Sequence, residues 1–208
     1  RYPDGAGYGL RKRIADRFQW PVEGVVLGNG SVDIIEFAIR TFCGPGDEMV
    51  VPQASFISAR LAGQSVNAAL VPAPMKDHRH DADALAARIT SRTRIVYVDN
   101  PGNPLGSYIR RDEWARLIAA LPADCLLIAD QAYLEFIDAS DYPDAFHDLQ
   151  AGHNVLVLRT FSKIHGLAGL RLGYGLGGPE IVGTLEKVRQ PFNINALGQA
   201  AALAALDA

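Results

Sequence analysis

Short apolar runs alternate along the chain with segments in which apolar residues recur at helical spacing. The runs Val25–Leu27, Glu48–Pro52, Ala69–Ala73, Arg94–Asn100, Cys125–Asp130, Asn154–Thr160 and Leu170–Leu176 read as strands. Several are apolar at successive positions, Cys125-Leu126-Leu127-Ile128-Ala129 most plainly. Both of their faces must therefore be covered, as in a buried parallel sheet. Between them, Gly9–Phe18, Val32–Phe42, Phe56–Gln64, Ala82–Ile89, Arg111–Ala120 and Pro179–Arg189 read as amphipathic helices. Pro179 suits a first helical position, and Glu180 suits the positive end of the same helix. The alternation predicts an α/β fold: a wound, mostly parallel seven-stranded sheet with helices on both faces. Ligands of such sheets sit just past the carboxyl ends of the strands, which directs attention to the residues that follow each run.

Composition narrows the classes of function. A chain of 208 residues suits one large domain better than two, and no internal repeat, low-complexity tract or long linker divides it. The net charge of −3, with acids and bases interspersed, lacks the basic stripe of a nucleic-acid binder and the polybasic patch of a membrane-surface protein. No apolar run approaches the roughly 20 residues of a membrane span, and no signal peptide opens the chain. Cys43 and Cys125 stand in apolar surroundings and read as buried free thiols of a reducing cytoplasm. The chain begins at Arg1-Tyr2-Pro3-Asp4 and stops at Leu206-Asp207-Ala208 inside an Ala/Leu helix pattern with no C-cap signal, as a fragment would.

Four strand ends carry candidate chemistry. In Leu27-Gly28-Asn29-Gly30-Ser31-Val32-Asp33 a glycine-rich turn opens a helix, so the N–H groups of Gly30, Ser31 and Val32 could cradle a phosphate; a tight turn with Ser31 as N-cap explains the same residues. Asp99-Asn100-Pro101-Gly102-Asn103-Pro104-Leu105-Gly106 is a turn by composition, in which an Asn side chain could also donate to a ligand oxygen. Asp130 closes a wholly apolar strand, where a carboxylate is costly unless a cation such as a protonated pyridine meets it; an N-cap is the plainer alternative. Lys163 follows the strand Asn154–Thr160 among small hydroxyl residues and glycines, in Arg159-Thr160-Phe161-Ser162-Lys163-Ile164-His165-Gly166. A desolvated lysine there would be nucleophilic and able to form a Schiff base, and Arg171 brings a permanent charge for a phosphate. A lysine, a carboxylate for a pyridinium and an anion cradle are together the requirements of a pyridoxal 5'-phosphate site.

On these motifs, with Asn103-Pro104-Leu105-Gly106, Asp130-Gln131-Ala132-Tyr133 and Lys187-Val188-Arg189-Gln190-Pro191-Phe192-Asn193-Ile194-Asn195, the chain resembles the fold-type I pyridoxal-phosphate aminotransferases from Tyr2 to its end. The branch it resembles most is that of the histidinol-phosphate aminotransferases. The resemblance implies that residues 1–208 form the cofactor-binding large domain, without the N-terminal arm and the C-terminal small domain. It implies a cytoplasmic enzyme of amino-acid (histidine) biosynthesis. Such an enzyme moves an amino group from histidinol phosphate or an aromatic amino acid to a 2-oxo acid such as 2-oxoglutarate. By the same resemblance Lys163 holds the cofactor and then shuttles a proton, and Asp130 pairs with the pyridine nitrogen. Asn103 and Tyr133 bond the ring oxygen, and Phe56 stacks on the ring. Gly30, Ser31, Val32, Thr160, Ser162 and Arg171 grip the phosphate. Tyr2 matches a tyrosine that reaches the neighbouring subunit's site, implying a homodimer.

Three positions depart from the family pattern: Gln131 stands where Glu is usual, Leu105 where Thr is, and His165 where an apolar aromatic is. The same lysine, aspartate and cradle would also serve a pyridoxal-phosphate decarboxylase or lyase of a phosphorylated amino acid, and a regulator could use such a domain as a sensor. Gly173-Tyr174-Gly175-Leu176-Gly177-Gly178 matches G-x-G-x-x-G, but no acidic residue ends a second strand about 20 residues on, so close packing or a strand bend is the expectation for these glycines. His78 and His80, beside Asp77, Asp81 and Asp83, read as a solvated loop rather than a metal site. His147 and His153 have no recognisable partners, and Arg88, Arg92 and Arg94 read as an exposed face.

Overall fold

The computed structural model describes residues 2–207; Arg1 and Ala208, at the two ends noted above, lie outside the described residues. In chain order the elements are α1 (Tyr8–Phe18), β1 (Val25–Gly28), α2 (Ser31–Phe42), β2 (Glu48–Pro52), α3 (Ile57–Ser65), β3 (Ala69–Ala73), β4 (Met75–Lys76), β5 (Arg79–His80), α4 (Ala82–Ala86), β6 (Thr93–Asp99), α5 (Arg111–Ala120), β7 (Leu126–Asp130), α6 (Ala145–Gln150), β8 (Val155–Thr160), β9 (Gly173–Leu176), α7 (Pro179–Val188) and α8 (Ala196–Asp207). Seven strands form one sheet in the order β1-β9-β8-β7-β6-β2-β3. Every neighbouring pair is parallel except those made by β9, which runs antiparallel to β1 and β8.

The period of two along each strand sorts its side chains into two cores. Val26, Ile95, Tyr97, Ile128, Leu156 and Leu158 pack under α2, α3 and α7. Their sequence neighbours Leu27, Val96, Val98, Leu127, Val155 and Val157 pack with Leu10 and Ile14 of α1, Trp114 and Leu117 of α5, Phe146 of α6 and Leu206 of α8. Both faces of the sheet are thus covered, which is why the strands read as continuous apolar runs. Pro179 and Glu180 begin α7 as expected. Cys43 and Cys125 are free and buried; burial pushes their thiols up to about 11 and about 12, which keeps them unreactive. Among the described residues no helix is long and apolar enough to cross a membrane.

Several boundaries differ from the sequence reading for local reasons. Helix α4 stops at Ala86 rather than Ile89, because Arg88 and Ile89 bond to the carbonyls of Leu85 and Ala86, three residues back, and tighten the chain out of the α geometry. The strand expected from Leu170 begins only at Gly173; Ala168–Leu170 form a 3-10 turn and Arg171 has a left-handed backbone, φ 54°. Two elements escaped the pattern altogether. One is α6, six residues capped by the Asp144 carboxylate on the Phe146 N–H. The other is the β4–β5 hairpin, whose loop residues Asp77 and His78 both have positive φ, 49° and 57°, as a type I′ turn requires.

The register brings the candidate chemistry to one edge. Asp99 at the end of β6 stands opposite Asp130 at the end of β7. Gly28 and Thr160 both stand opposite Gly173, so β1, β8 and the start of β9 open on that same edge.

Candidate functional site

A hollow of about 210 Å³ lies at this carboxyl edge, lined by Gly30, Ser31, Val32, Phe56, Asp99, Pro101, Asn103, Asp130, Ala132, Tyr133, Thr160, Ser162, Lys163, Ala168 and Arg171. Every residue singled out from the sequence for this site is in that wall except Tyr2. A larger hollow, about 620 Å³, opens at the opposite end of the sheet around Trp20, Phe42, Arg94 and Asn154. It gathers no comparable set of convergent groups, so chemistry rather than size identifies the site.

One wall is an anion cradle. Gly30, not Ser31, holds the N-cap position of α2, with φ 81°, and no side chain caps the helix. The first N–H groups of α2 therefore remain open toward the hollow. The left-handed turn at Arg171 carries its guanidinium to the same place: a Cβ on Gly30 would collide with it. Arg171 Nη1 is steadied by the Ala168 carbonyl at 3.0 Å, and the Ser162 N–H donates to Thr160 Oγ1 at 3.1 Å, shaping the loop that leads to Lys163.

The glycines of the G-x-G-x-x-G stretch serve close approach. A Cβ on Gly173 would lie 2.7 Å from the Gly30 carbonyl carbon and press on the Ser31 nitrogen, and one on Gly175 would lie 2.9 Å from Val26. Gly173→Ala is accordingly expected to push the cradle out of place and to lower stability by about 1–3 kcal/mol, the usual cost of overpacking. A denaturant melt reads this directly; a melt equal to wild type would refute the close-packing account.

The floor is acidic. Asp130 is 4% exposed; Tyr97 donates its hydroxyl to Oδ2 at 2.9 Å, and the Ala132 N–H donates to Oδ1 at 3.2 Å. Burial, and then the charge of Asp99 on the next strand, push the Asp130 carboxyl up to about 6, against the hydrogen bond from Tyr97. A buried carboxylate in this position favours a cationic partner. It is no helix N-cap: Asp130 ends β7 and is followed by a turn.

The rim carries the nucleophile. Lys163 is exposed at the mouth, contrary to the desolvation expected from sequence, because the Ser162–Gly166 turn carries it off the end of β8. Its Nζ lies 4.9 Å from the centre of the Tyr133 ring. Tyr133 is tied to Asn103 through a 3.4 Å hydrogen bond from Nδ2 to the hydroxyl, so the two residues expected to share one acceptor do stand together. Phe56 also lines the wall. Tyr2 lies apart, 83% exposed, with its ring 4.8 Å from that of Phe192.

Sequence reasoning missed part of this site. Asp99, Pro101, Ala132 and Ala168 also line it, and Tyr97 supports Asp130 from behind. Tyr97 and Asp99 were legible in principle, being two residues apart on a strand and so on the same face. The reading of His80 is corrected: it is buried, 3% exposed, with Nε2 2.9 Å from Asp99 Oδ1, because the type I′ hairpin turns it inward. His78 stays exposed. Arg88 and Arg92 lie on an exposed face as read, and Arg94 is partly exposed; Arg92 also pairs with the buried Glu48, and Arg94 with Asp47 and Asp124. Of the departures from the family pattern, Gln131 is buried and donates to the Tyr142 hydroxyl and the Pro143 carbonyl, Leu105 is exposed, and His165 packs on Phe161. Among the described residues no group of three or more His, Cys, Asp or Glu side chains is placed to hold a metal ion.

Comparison with known proteins gives a consistent picture. The family model for aminotransferase class I and II matches residues 1–208. Histidinol-phosphate aminotransferase 2 of Ralstonia nicotianae is 44% identical over 207 residues, covering 100% of this chain and 55% of the relative. Histidinol-phosphate aminotransferase of an Anaeromyxobacter species is 45% identical over 206 residues, covering 99% of this chain and 57% of the relative. Among solved structures, histidinol-phosphate aminotransferase from Sinorhizobium meliloti in complex with pyridoxal-5'-phosphate superposes with a TM-score of 0.93 at 30% identity, over 100% of this chain and 56% of that one. The chain spans about half the length of the curated relatives it matches.

Proposed function

The chain belongs to the aminotransferase class I and II family, and from that premise we propose that it is the cofactor-binding part of a histidinol-phosphate-type aminotransferase, taking an amino group from histidinol phosphate or an aromatic amino acid to a 2-oxo acid such as 2-oxoglutarate. The observation that carries this reading is the convergence, in one hollow, of an open helix start with Arg171, a buried carboxylate and the Lys163 amine. The donor set fits pyridoxal 5'-phosphate at each end: an anion cradle for the phosphate and, across the hollow, a carboxylate that favours a cation. The cofactor of the family is pyridoxal 5'-phosphate; when bound, its protonated ring draws electrons from the substrate α-carbon.

The chain's own residues divide the remaining work. The N–H groups of Gly30, Ser31 and Val32, the hydroxyls of Thr160 and Ser162 and the Arg171 guanidinium would hold the phosphate. Asp130 would face the ring nitrogen and keep it protonated, Phe56 would cover one ring face, and Asn103 and Tyr133 would bond the ring oxygen. Lys163 would carry the covalent link and, once released by substrate, move a proton at the substrate α-carbon. A homodimer in which Tyr2 of one subunit reaches the phosphate held by the other accounts for an exposed tyrosine lying outside the hollow. Residues 1–208 are read as the large domain, and the setting as the cytoplasm, where Cys43 and Cys125 stay reduced.

The relatives at 44% and 45% identity are named as aminotransferases, which favours transfer over the decarboxylase or lyase alternative. The test is a mass balance on the full-length protein supplied with pyridoxal 5'-phosphate, histidinol phosphate and 2-oxoglutarate. One glutamate should form for each donor consumed, and the pyridoxal-phosphate requirement should be absolute. With a phosphorylated amino acid as substrate, release of carbon dioxide or phosphate without glutamate would assign the site to the alternative.

A further inference from the structure

Asp99 in the wall of the hollow forms, with His80 behind it, a buried pair that the chemistry above does not use. His80 Nε2 stands 2.9 Å from Asp99 Oδ1, with the two side chains 1% and 4% exposed. The other oxygen of Asp99 accepts two main-chain hydrogen bonds, from the Phe56 N–H at 3.1 Å and from the Asn103 N–H at 2.7 Å. Phe56 belongs to the loop between β2 and α3, and Asn103 to the loop after β6. One carboxylate therefore joins three segments distant in sequence: the β4–β5 hairpin, which supplies His80, and the two loops that carry the ring-facing residues.

The details suit a planar side chain with one oxygen free to accept from two donors. A single carboxylate oxygen has two acceptor sites and can take both N–H bonds while its twin stays on the imidazole. The imidazole is itself fixed: Met75 Sδ lies 3.4 Å from its Nδ1, and a Cβ on Gly102 would come within 2.8 Å of its Nε2. His80 is thus wedged between its hairpin and the loop it helps to hold.

We propose that Asp99, anchored by His80, is a positioning residue that sets the spacing between Phe56 and Asn103, and with it the slot that receives the cofactor ring. This rests on the pyridoxal-phosphate reading above. Asp99 acts through hydrogen bonds to main-chain N–H groups, so what it contributes is geometry, and an isosteric amide can replace it. In Asp99→Asn the amide oxygen keeps both N–H bonds, and the amide NH2 donates to His80 Nε2 in its neutral form. In Asp99→Ala both loops lose their tie.

The experiment compares wild type, Asp99→Asn and Asp99→Ala as full-length proteins, reading pyridoxal 5'-phosphate affinity by fluorescence quenching of the cofactor-free protein and ring orientation by the visible circular dichroism of the bound cofactor. Asp99→Ala should weaken affinity by about 10- to 100-fold, as loss of a shared buried acceptor implies, and should diminish the dichroism at saturation. Asp99→Asn should stay within about threefold of wild type on the same scale and keep the dichroic band. If Asp99→Ala fails to fold, the paired variant His80→Leu/Asp99→Leu, which leaves no buried charge behind, gives the same reading. An alanine or paired variant with wild-type affinity and dichroism overturns the proposal. So does an amide variant as weak as the alanine one, since charge rather than geometry would then be at work. A wild-type protein that binds no pyridoxal 5'-phosphate, or a Lys163→Ala variant that keeps the lysine-linked absorption band, refutes the cofactor reading instead, and this inference with it.

Discussion

Lys163→Ala is expected to lower the turnover of amino transfer by about 10⁴-fold or more, while changing the stability of the folded protein by no more than about 0.5 kcal/mol. The contrast follows from where Lys163 sits. Among the described residues its amine makes no ion pair or hydrogen bond, it lies 4.9 Å from the centre of the Tyr133 ring, and it is exposed. Its removal leaves no cavity and strands no buried charge, so the fold has little to lose. Everything the residue offers is its free amine, poised over a hollow whose floor and cradle are already built. Lys163→Arg is the sharper control, because a guanidinium keeps the positive charge yet is neither nucleophilic nor able to give up its proton at neutral pH. It should be as inactive as the alanine variant. Steady-state rates with saturating cofactor, alongside thermal melts, check both halves. An arginine variant with a tenth of wild-type turnover or more would mean that the charge, not the amine, is what the site needs.

Most of the sheet was legible because strands buried on both faces leave continuous apolar runs, and Glu48–Pro52, Ala69–Ala73 and the helix Arg111–Ala120 have the boundaries read from sequence. The antiparallel direction of β9 was not legible, since hydrophobic period carries no information on strand direction. Helix α6 and the β4–β5 hairpin were missed because six-residue and two-residue elements leave too short a pattern, and Asp77-His78 lacks the Asn-Gly or Asp-Gly signature of its turn. The site was legible where chemistry sits directly past a strand: Gly30, Asn103, Asp130, Lys163. It was illegible where a contact joins distant segments. His80 and Asp99 meet only because a hairpin from one edge of the sheet folds against the end of a central strand. A histidine between an arginine and an aspartate is, from sequence, indistinguishable from a solvated one.

Asp130→Asn should do two opposite things, and together they test whether the floor of the hollow is built for a cation. Burial and the neighbouring Asp99 charge push the Asp130 carboxyl up to about 6, against about 3.9 in an unfolded chain. A carboxyl raised in this way favours the folded state fully below pH ~4, and that advantage is lost as the pH rises through about 6. At pH 7 the charged carboxylate, hydrogen-bonded but without an ion-pair partner, costs the cofactor-free protein about 3 kcal/mol. Asparagine removes the charge and can accept from the Ala132 N–H while its amide donates to the Tyr97 oxygen, but the buried Tyr97 hydroxyl proton then loses its acceptor, which offsets about 1–2 kcal/mol of the gain. The cofactor-free variant should therefore melt about 2–6 °C above wild type at pH 7, with the gap closing toward pH 4. With pyridoxal 5'-phosphate bound the order should invert. An amide cannot hold the ring nitrogen protonated, so turnover should fall by about 10²- to 10³-fold or more. In wild type, cofactor affinity should weaken as the pH drops below about 6, where Asp130 takes up its proton; in the variant that acid limb should be gone. A cofactor-free variant that melts below wild type at pH 7 would show that Asp130 is satisfied by its protein neighbours alone. The case that its burial anticipates a cationic ring would then fall, whatever the variant did to activity.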